Sequence, residues 1–167
     1  MLTTLKNAFK IKEIRNKLLF TLGMLVVIRL GSQLPVPGVD RHYFSNWFAQ
    51  QTGDAFNFFN AFTGGSFINM SILALNITPY ITSSIIMQLM TIAIPKLEEM
   101  QKDGEDGRKK IREYTRYVTI ALAVIEGLAM GIGSYRGGNL MHNNVLDIIM
   151  VTAALVAGAS LVMWLGE

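Results

Sequence analysis

The apolar positions of this chain are bunched rather than spread at helical or strand period, and bunching of this kind marks membrane-embedded segments. Residues 55 to 95 contain no Asp, Glu, Lys or Arg, about twice the roughly 20 residues that cross a bilayer as a helix. Residues 67 to 94, FINMSILALNITPYITSSIIMQLMTIAI, form its densest part, and Pro95 and Lys96 close it. The pattern predicts a membrane-spanning helix over 67–94. A second clear span is predicted over 147–167, uncharged between Asp147 and Glu167 and carrying Trp164 near its end, an aromatic suited to the interface. Two weaker spans complete the set. Residues 18–34 are apolar apart from Arg29, whose long stem reaches the headgroups from one turn inside a helix end. Residues 117–135 are apolar and rich in small residues but contain Glu126, which costs about 2.5–3.5 kcal/mol on insertion scales unless paired or protonated.

Charge then orients the loops. Lys6, Lys10, Lys12, Arg15 and Lys17 precede the first span, and Lys96, Lys102, Arg108, Lys109, Lys110, Arg112 and Arg116 lie between the second and third. Outer segments 35–66 and 136–146 hold only Arg41 and Arg136. The positive-inside rule therefore places residues 1–17, the 95–116 loop and the C-terminal end in the cytoplasm. The expected architecture is an all-α, multi-pass membrane protein with four transmembrane helices and its N-terminus cytoplasmic. With 51% hydrophobic and 16% charged residues and no Cys, disulfide scaffolds, cysteine zinc sites and thiol nucleophiles are excluded. The basic clusters are explained by topology, which leaves no case for a nucleic-acid substrate. The first span lacks a small-residue cleavage site after Leu34 and is expected to be retained.

Between the first two spans, PVPGVD stops the helix sharply and AFNFFNAFTGGS follows. The latter run, about 55–66, is too short to cross a bilayer, and Gly64 and Gly65 permit the chain to reverse. It fits a re-entrant element facing a cavity, or equally an amphipathic helix on the outer membrane surface. Within 67–94, Asn76, Thr78, Pro79, Thr82, Ser83, Ser84 and Gln88 are polar or helix-disturbing, whereas Ile77 and Ile81 share a helix face. Ordinary interhelical hydrogen bonding, worth about 0.6 kcal/mol per bond, is the plainer account of that polar set; a water-facing side is the other.

Five stretches in this order carry a family resemblance: RLGSQLPVPGVD (Arg29 to Asp40), FNAFTGG (Phe59 to Gly65), NITPYITSSIIMQL (Asn76 to Leu89), DGEDGRKKIREYTRY (Asp103 to Tyr117) and MWLGE (Met163 to Glu167). The chain resembles the N-terminal part of the SecY family, the channel subunits of bacterial preprotein translocases. The resemblance implies a ten-helix channel of two pseudo-symmetric halves in the bacterial cytoplasmic membrane, with an hourglass pore that also opens sideways to lipid. By position it assigns Phe59, Asn60, Phe62, Gly64 and Gly65 to a short re-entrant plug and Ile77 and Ile81 to an apolar pore ring. Thr82 and Gln88 become candidates for polar residues of a lateral gate. It further implies SecE and SecG as small membrane subunits, the SecA motor ATPase or the ribosome as driving partner, and signal peptides and translocating polypeptides as clients, with no cofactor. The likeness ends with the fourth of ten helices, so the chain is expected to be a fragment of a longer protein.

The remaining polar residues have plainer readings. Glu126 has Gly127, Gly131 and Gly133 nearby, where helices approach closely, and a hydrogen-bonded structural role outweighs an ion site. His42 and His142 lack a ligand partner at metal spacing and are expected to be solvated. DGEDG lacks the ligand pattern of a calcium loop and reads as a solvated turn. Arg108, Lys109, Lys110 and Arg112 read as an anchor on anionic lipid, and the resemblance adds contact with the motor. No catalytic constellation or phosphate loop is present, so an enzyme is not expected. Two rivals to a protein-conducting channel remain: an oligomerising small-solute or proton transporter using Glu126, and a purely structural membrane subunit.

Overall fold

The structure, a computed structural model, describes residues 7, 9–50, 53–138, 140, 142 and 144–167. Lys6 of the basic N-terminus and the side chain of Phe59 lie outside the described set. Seven helices are described: α1 (Lys12–Gly31), α2 (Arg41–Gln50), α3 (Asp54–Phe62), α4 (Thr78–Ala93), α5 (Pro95–Lys102), α6 (Glu105–Arg136) and α7 (Val145–Gly166). Extended pairing among the described residues is limited to the isolated bridges Pro35 to Ser71 and Val39 to Leu140. The fold is all-helical. Two of its helices, α6 and α7, are long and apolar enough to cross a membrane, and a third span results if α4 and α5 count as one.

α1 stops where Gly31 is followed by Pro35, with the Ser32 N–H donating to Ile28 O and the Ser32 hydroxyl to Arg29 O. None of its residues is buried, and Leu19, Phe20, Leu22, Leu25, Val26 and Leu30 are each more than half exposed. An apolar helix surface of that extent needs lipid or another helix against it.

The helix expected over 67–94 is shorter: residues 67 to 77 run as successive turns, and α4 begins at Thr78. Two residues explain the break. Asn76 takes the left-handed conformation (φ 52°), which Asn tolerates better than most side chains. Pro79 sits in the first turn of α4, where its missing N–H costs nothing. The proline is thus the start signal of the helix rather than a disturbance inside it.

The turn segment fills the core. Met70, Ala74 and Leu75 pack with Val36 and Val39 from the segment after α1, Leu140 from the segment after α6, Ala123 of α6, and Val151, Leu155 and Ala159 of α7. Irregular backbone buried in a core must pair its polar groups. Val36 N–H donates to Met70 O at 3.0 Å and Ile72 N–H to Leu34 O at 3.0 Å. At Gly158, α7 lies directly on this segment: a Cβ there would fall 2.0 Å from Ile72 O.

Glycine also sets the distance between α6 and α7. A Cβ on Gly127 would meet Thr152 Cγ2 at 3.3 Å and one on Gly131 would meet Ile148 Cγ2 at 3.0 Å, whereas Gly133 faces open space. Arg116 and Glu167 form an ion pair that ties these two helices at one end, with Arg116 Nε donating to Glu167 Oε1 at 3.1 Å.

Most of the stretch expected as a loop over 95–116 is helical. Pro95 forces Ile94 into extended backbone (ψ 110°), ending α4, and α5 departs at 103° to it. Gly104 adopts φ 83° between α5 and α6, and Gly107 passes so close to Met100 that a Cβ would overlap its carbonyl. The DGEDG run is therefore a packed helix reversal whose second glycine is buried, not only a solvated turn.

Candidate functional site

α4 has two unlike faces. Ser83, Met87 and Thr91 are buried, and the Ser83 hydroxyl meets the Thr119 hydroxyl of α6. Thr115 and Thr119 of α6 are buried as well. Ser83 Oγ also lies 2.9 Å from Tyr80 O, and Thr119 Oγ1 lies 2.7 Å from Thr115 O. Two hydroxyl hydrogens thus serve three contacts, so removing either hydroxyl leaves the other with a carbonyl acceptor in its own helix. Thr119→Val is accordingly expected to cost only about 0.6 kcal/mol. Equilibrium unfolding in bicelles checks this, and a loss above about 2 kcal/mol would contradict the shared-hydrogen account.

The other face of α4 carries Ile77, Ile81, Ile85 and Leu89 at four-residue spacing, all exposed. Ile77 occupies the N-cap position, immediately after the Asn76 break, and Ile81 lies one turn on, its N–H donating to Ile77 O at 3.0 Å. The structure therefore brings the two isoleucines together at the mouth of the helix. Thr82 is exposed, but its hydroxyl is spent on Thr78 O at 3.0 Å. Gln88 is exposed two turns from Ile81.

α3 ends in a Schellman arrangement. Gly65 N–H donates to Asn60 O at 3.0 Å and Gly64 N–H to Ala61 O at 3.1 Å, with Gly64 left-handed at φ 64°. The Asn60 side chain accepts from Ile68 N–H at 3.4 Å, and the Thr63 hydroxyl donates to Asn60 O at 3.1 Å. Thr63 and Ser66 are buried, whereas Phe58 and Phe62 are 74% and 63% exposed. The backbone of the short helix is thus fixed at its C-terminal end. Asn60, Gly64 and Gly65 make that end, and Phe62, the last helical residue, projects an exposed ring from it.

Glu126 lines a groove of about 330 Å³ with Phe67, Ala74, Leu75, Thr78 and Met130, beside the start of α4. At the other end of α4 and α6, Arg108, Lys109 and Arg112 line a groove of about 530 Å³ with Gln101, Glu105 and Ile111. Lys110 is exposed on the same turn but does not line it. Nearby, the Lys102 ammonium donates to Glu98 at 2.6 Å and holds that carboxyl below its usual range. His142 keeps an exposed ring, though its backbone N–H donates to the buried carboxylate of Asp147 at 3.2 Å. His42 is exposed, and its N–H is capped by Asp40 Oδ1 at 3.0 Å.

Two contacts of this region go beyond the sequence reading. Arg29 does not simply extend to headgroups: its Nη1 donates to Gly64 O at 2.8 Å. No local sequence signal announces a contact across 35 residues. The Ser83 and Thr119 seam was partly legible, since Ser83 stands in the polar set of its span, but its partner helix was not.

Comparison with known proteins adds an independent line. The SecY family profile matches residues 71–167. The protein translocase subunit SecY of Streptomyces scabiei is 43% identical across the whole chain, which covers 41% of that protein. The subunit of Halalkalibacterium halodurans is 42% identical, again across the whole chain and 39% of its own length. That of Vibrio cholerae is 41% identical over 94% of the chain and 36% of its own length. The chain thus spans about two fifths of the length of these relatives.

Proposed function

Because the chain belongs to the SecY family, we propose that it forms the N-terminal part of a protein-conducting channel that passes unfolded secretory polypeptides across the bacterial cytoplasmic membrane and releases membrane segments into it. The observation that carries this reading is the asymmetry of α4. One face is packed on α6 through hydroxyls and Met87, and the other offers Ile77, Ile81, Ile85 and Leu89 without cover among the described residues. A ring of aliphatic side chains contributed in part by Ile77 and Ile81 deforms around a passing chain and dewets when collapsed, which blocks ions.

In this reading α1, the 67–94 stretch that ends in α4, α6 and α7 are the four spans, α5 lies in the cytoplasmic connection, and α3 with its glycine turn is the plug over the ring. The long exposed apolar surface of α1 supports its place among them, although Arg15, Lys17 and Arg29 interrupt its hydropathy. The exposed side of α4 with Thr82 and Gln88 borders the lateral gate, where a signal peptide meets lipid. The basic groove of Arg108, Lys109 and Arg112 faces the cytoplasm, and with Lys110 it offers charge to anionic headgroups and to the acidic surface of a motor ATPase or ribosome. SecE and SecG complete the assembly. The channel does no chemistry, so a partner supplies the energy.

Reconstitution tests the function. Proteoliposomes containing the full-length channel, the motor and ATP are expected to protect a signal-bearing precursor from added protease and to leave a signal-less one digested. Uptake of a small solute with no protected precursor would overturn the reading in favour of a transporter.

A further inference from the structure

We propose that Arg29 is a positioning residue that latches the hinge of the re-entrant segment, an inference that rests on the plug reading of α3. The hinge is the chain from Thr63 to Ser66, and its backbone acceptors are almost all used locally. Thr63 O takes Ser66 N–H, Gly65 O takes Asn69 N–H and Ser66 O takes Ser71 N–H. Gly64 O points out of the Schellman arrangement, and its partner is the Arg29 guanidinium at 2.8 Å. The latch thus joins the last turn of α1 to the one hinge carbonyl that the turn itself leaves over. Position 64 favours glycine for its φ of 64°, and a Cβ there would sit 3.1 Å from Arg29 Nη1, so the guanidinium lies directly against this turn.

The geometry makes the latch consequential. α3 is held at this end, and Asn57 and Phe58 farther along it are exposed, which makes residues 63–66 the point about which a displaced plug would turn. A guanidinium near membrane depth is unfavourable without a partner, and a hydrogen bond from a charged donor is stronger than a neutral one. The same charge also suits the C-terminal end of α1. The closed plug and the satisfied arginine therefore stabilise each other, and displacing the hinge exposes an unpaired charge.

The test uses the full-length channel in its complex with Arg29→Leu, Arg29→Gln and Arg29→Lys, read by hydrogen–deuterium exchange of the peptide covering residues 60–70. The Leu and Gln variants are expected to exchange about fivefold faster there than the parent, with α6 and α7 unchanged and a resting chloride leak. Lys keeps the charge with a less directional donor and is expected to fall between them and the parent. Equal exchange in all four proteins overturns the latch and leaves Arg29 a headgroup anchor. If the Leu variant fails to insert, the Gln variant decides alone. Deleting residues 54–62 tests the underlying plug reading separately: a deletion without leak removes the plug, whereas a leaking deletion with unaltered exchange in the Arg29 variants removes only the latch.

Discussion

Gly158→Ala is expected to destabilise the protein by about 3 kcal/mol or more, at the upper end of overpacking costs. The added methyl would stand 2.0 Å from Ile72 O and 2.8 Å from its carbonyl carbon. The obstacle is backbone, and that backbone is held by the Ile72 to Leu34 hydrogen bond, so no rotamer change relieves it. Either α7 retreats or the buried turn segment shifts, and both open the core of Val151, Leu155 and Met70. The roughly 1 kcal/mol that alanine normally gains over glycine in a helix is overwhelmed. Gly127→Ala serves as the contrast. Its Cβ would meet Thr152 Cγ2 at 3.3 Å, and the expected loss is under about 1 kcal/mol. Unfolding of both variants in bicelles checks the pair, and equal stabilities would contradict the packing of α7 on Ile72. The effect reaches function too, since Ile72 lies on the segment that delivers Asn76 and Ile77 to the start of α4.

The second large effect concerns the ring. Replacing Ile77 and Ile81 together with Asn is expected to raise the resting ion leak of the assembled full-length channel on the order of tenfold, a change that needs only about 1.4 kcal/mol off the barrier. Two amides in place of two aliphatic side chains wet the constriction and offer hydrogen bonds to hydrated ions. Both side chains are exposed on the free face of α4, so the change leaves the Ser83, Met87 and Thr91 packing intact and the protein should fold. Planar-bilayer conductance gives the readout. A folded, inserted double variant with parental leak would make this a structural subunit rather than a channel.

Much of this architecture was legible in the charge map. Runs free of Asp, Glu, Lys and Arg located α7 and the stretch containing α4, and an apolar run broken only by Glu126 located the later part of α6, because burying an unpaired charge in hydrocarbon is expensive. Close approach of α6 and α7 at Gly127 and Gly131 was legible for a related reason, since only the absence of a side chain permits it. Gly133, of the same residue type and only two residues past Gly131, faces open space; composition cannot tell which face of a helix meets a neighbour. The break at residues 67–77 was missed because a continuous apolar run looks alike as a buried turn and as a lipid-facing helix. Asn76 and Pro79 carried the signal. The helices within the predicted 95–116 loop were missed for the opposite reason: polarity marks solvent rather than coil, and Pro95 begins a helix as readily as it ends one.

The candidate site divides the same way. The four-residue spacing placed Ile77 and Ile81 on one face, and the paired glycines marked the reversal after α3. Arg29 was placed correctly on the last turn of α1, but its contact with Gly64 depends on how α1 and the outer segment meet in space. Local pattern holds no record of that.

The central claim is that a polypeptide passes along the Ile77 and Ile81 face of α4. A secretory chain stalled in the full-length channel, with a photocrosslinker replacing Ile81 in one preparation and Trp164, exposed on α7, in another, tests it most directly. The account predicts strong crosslinks from position 81 that depend on the signal sequence, and weak ones from position 164. Crosslinks from position 164 alone, or from neither position while the chain is demonstrably stalled, would contradict it.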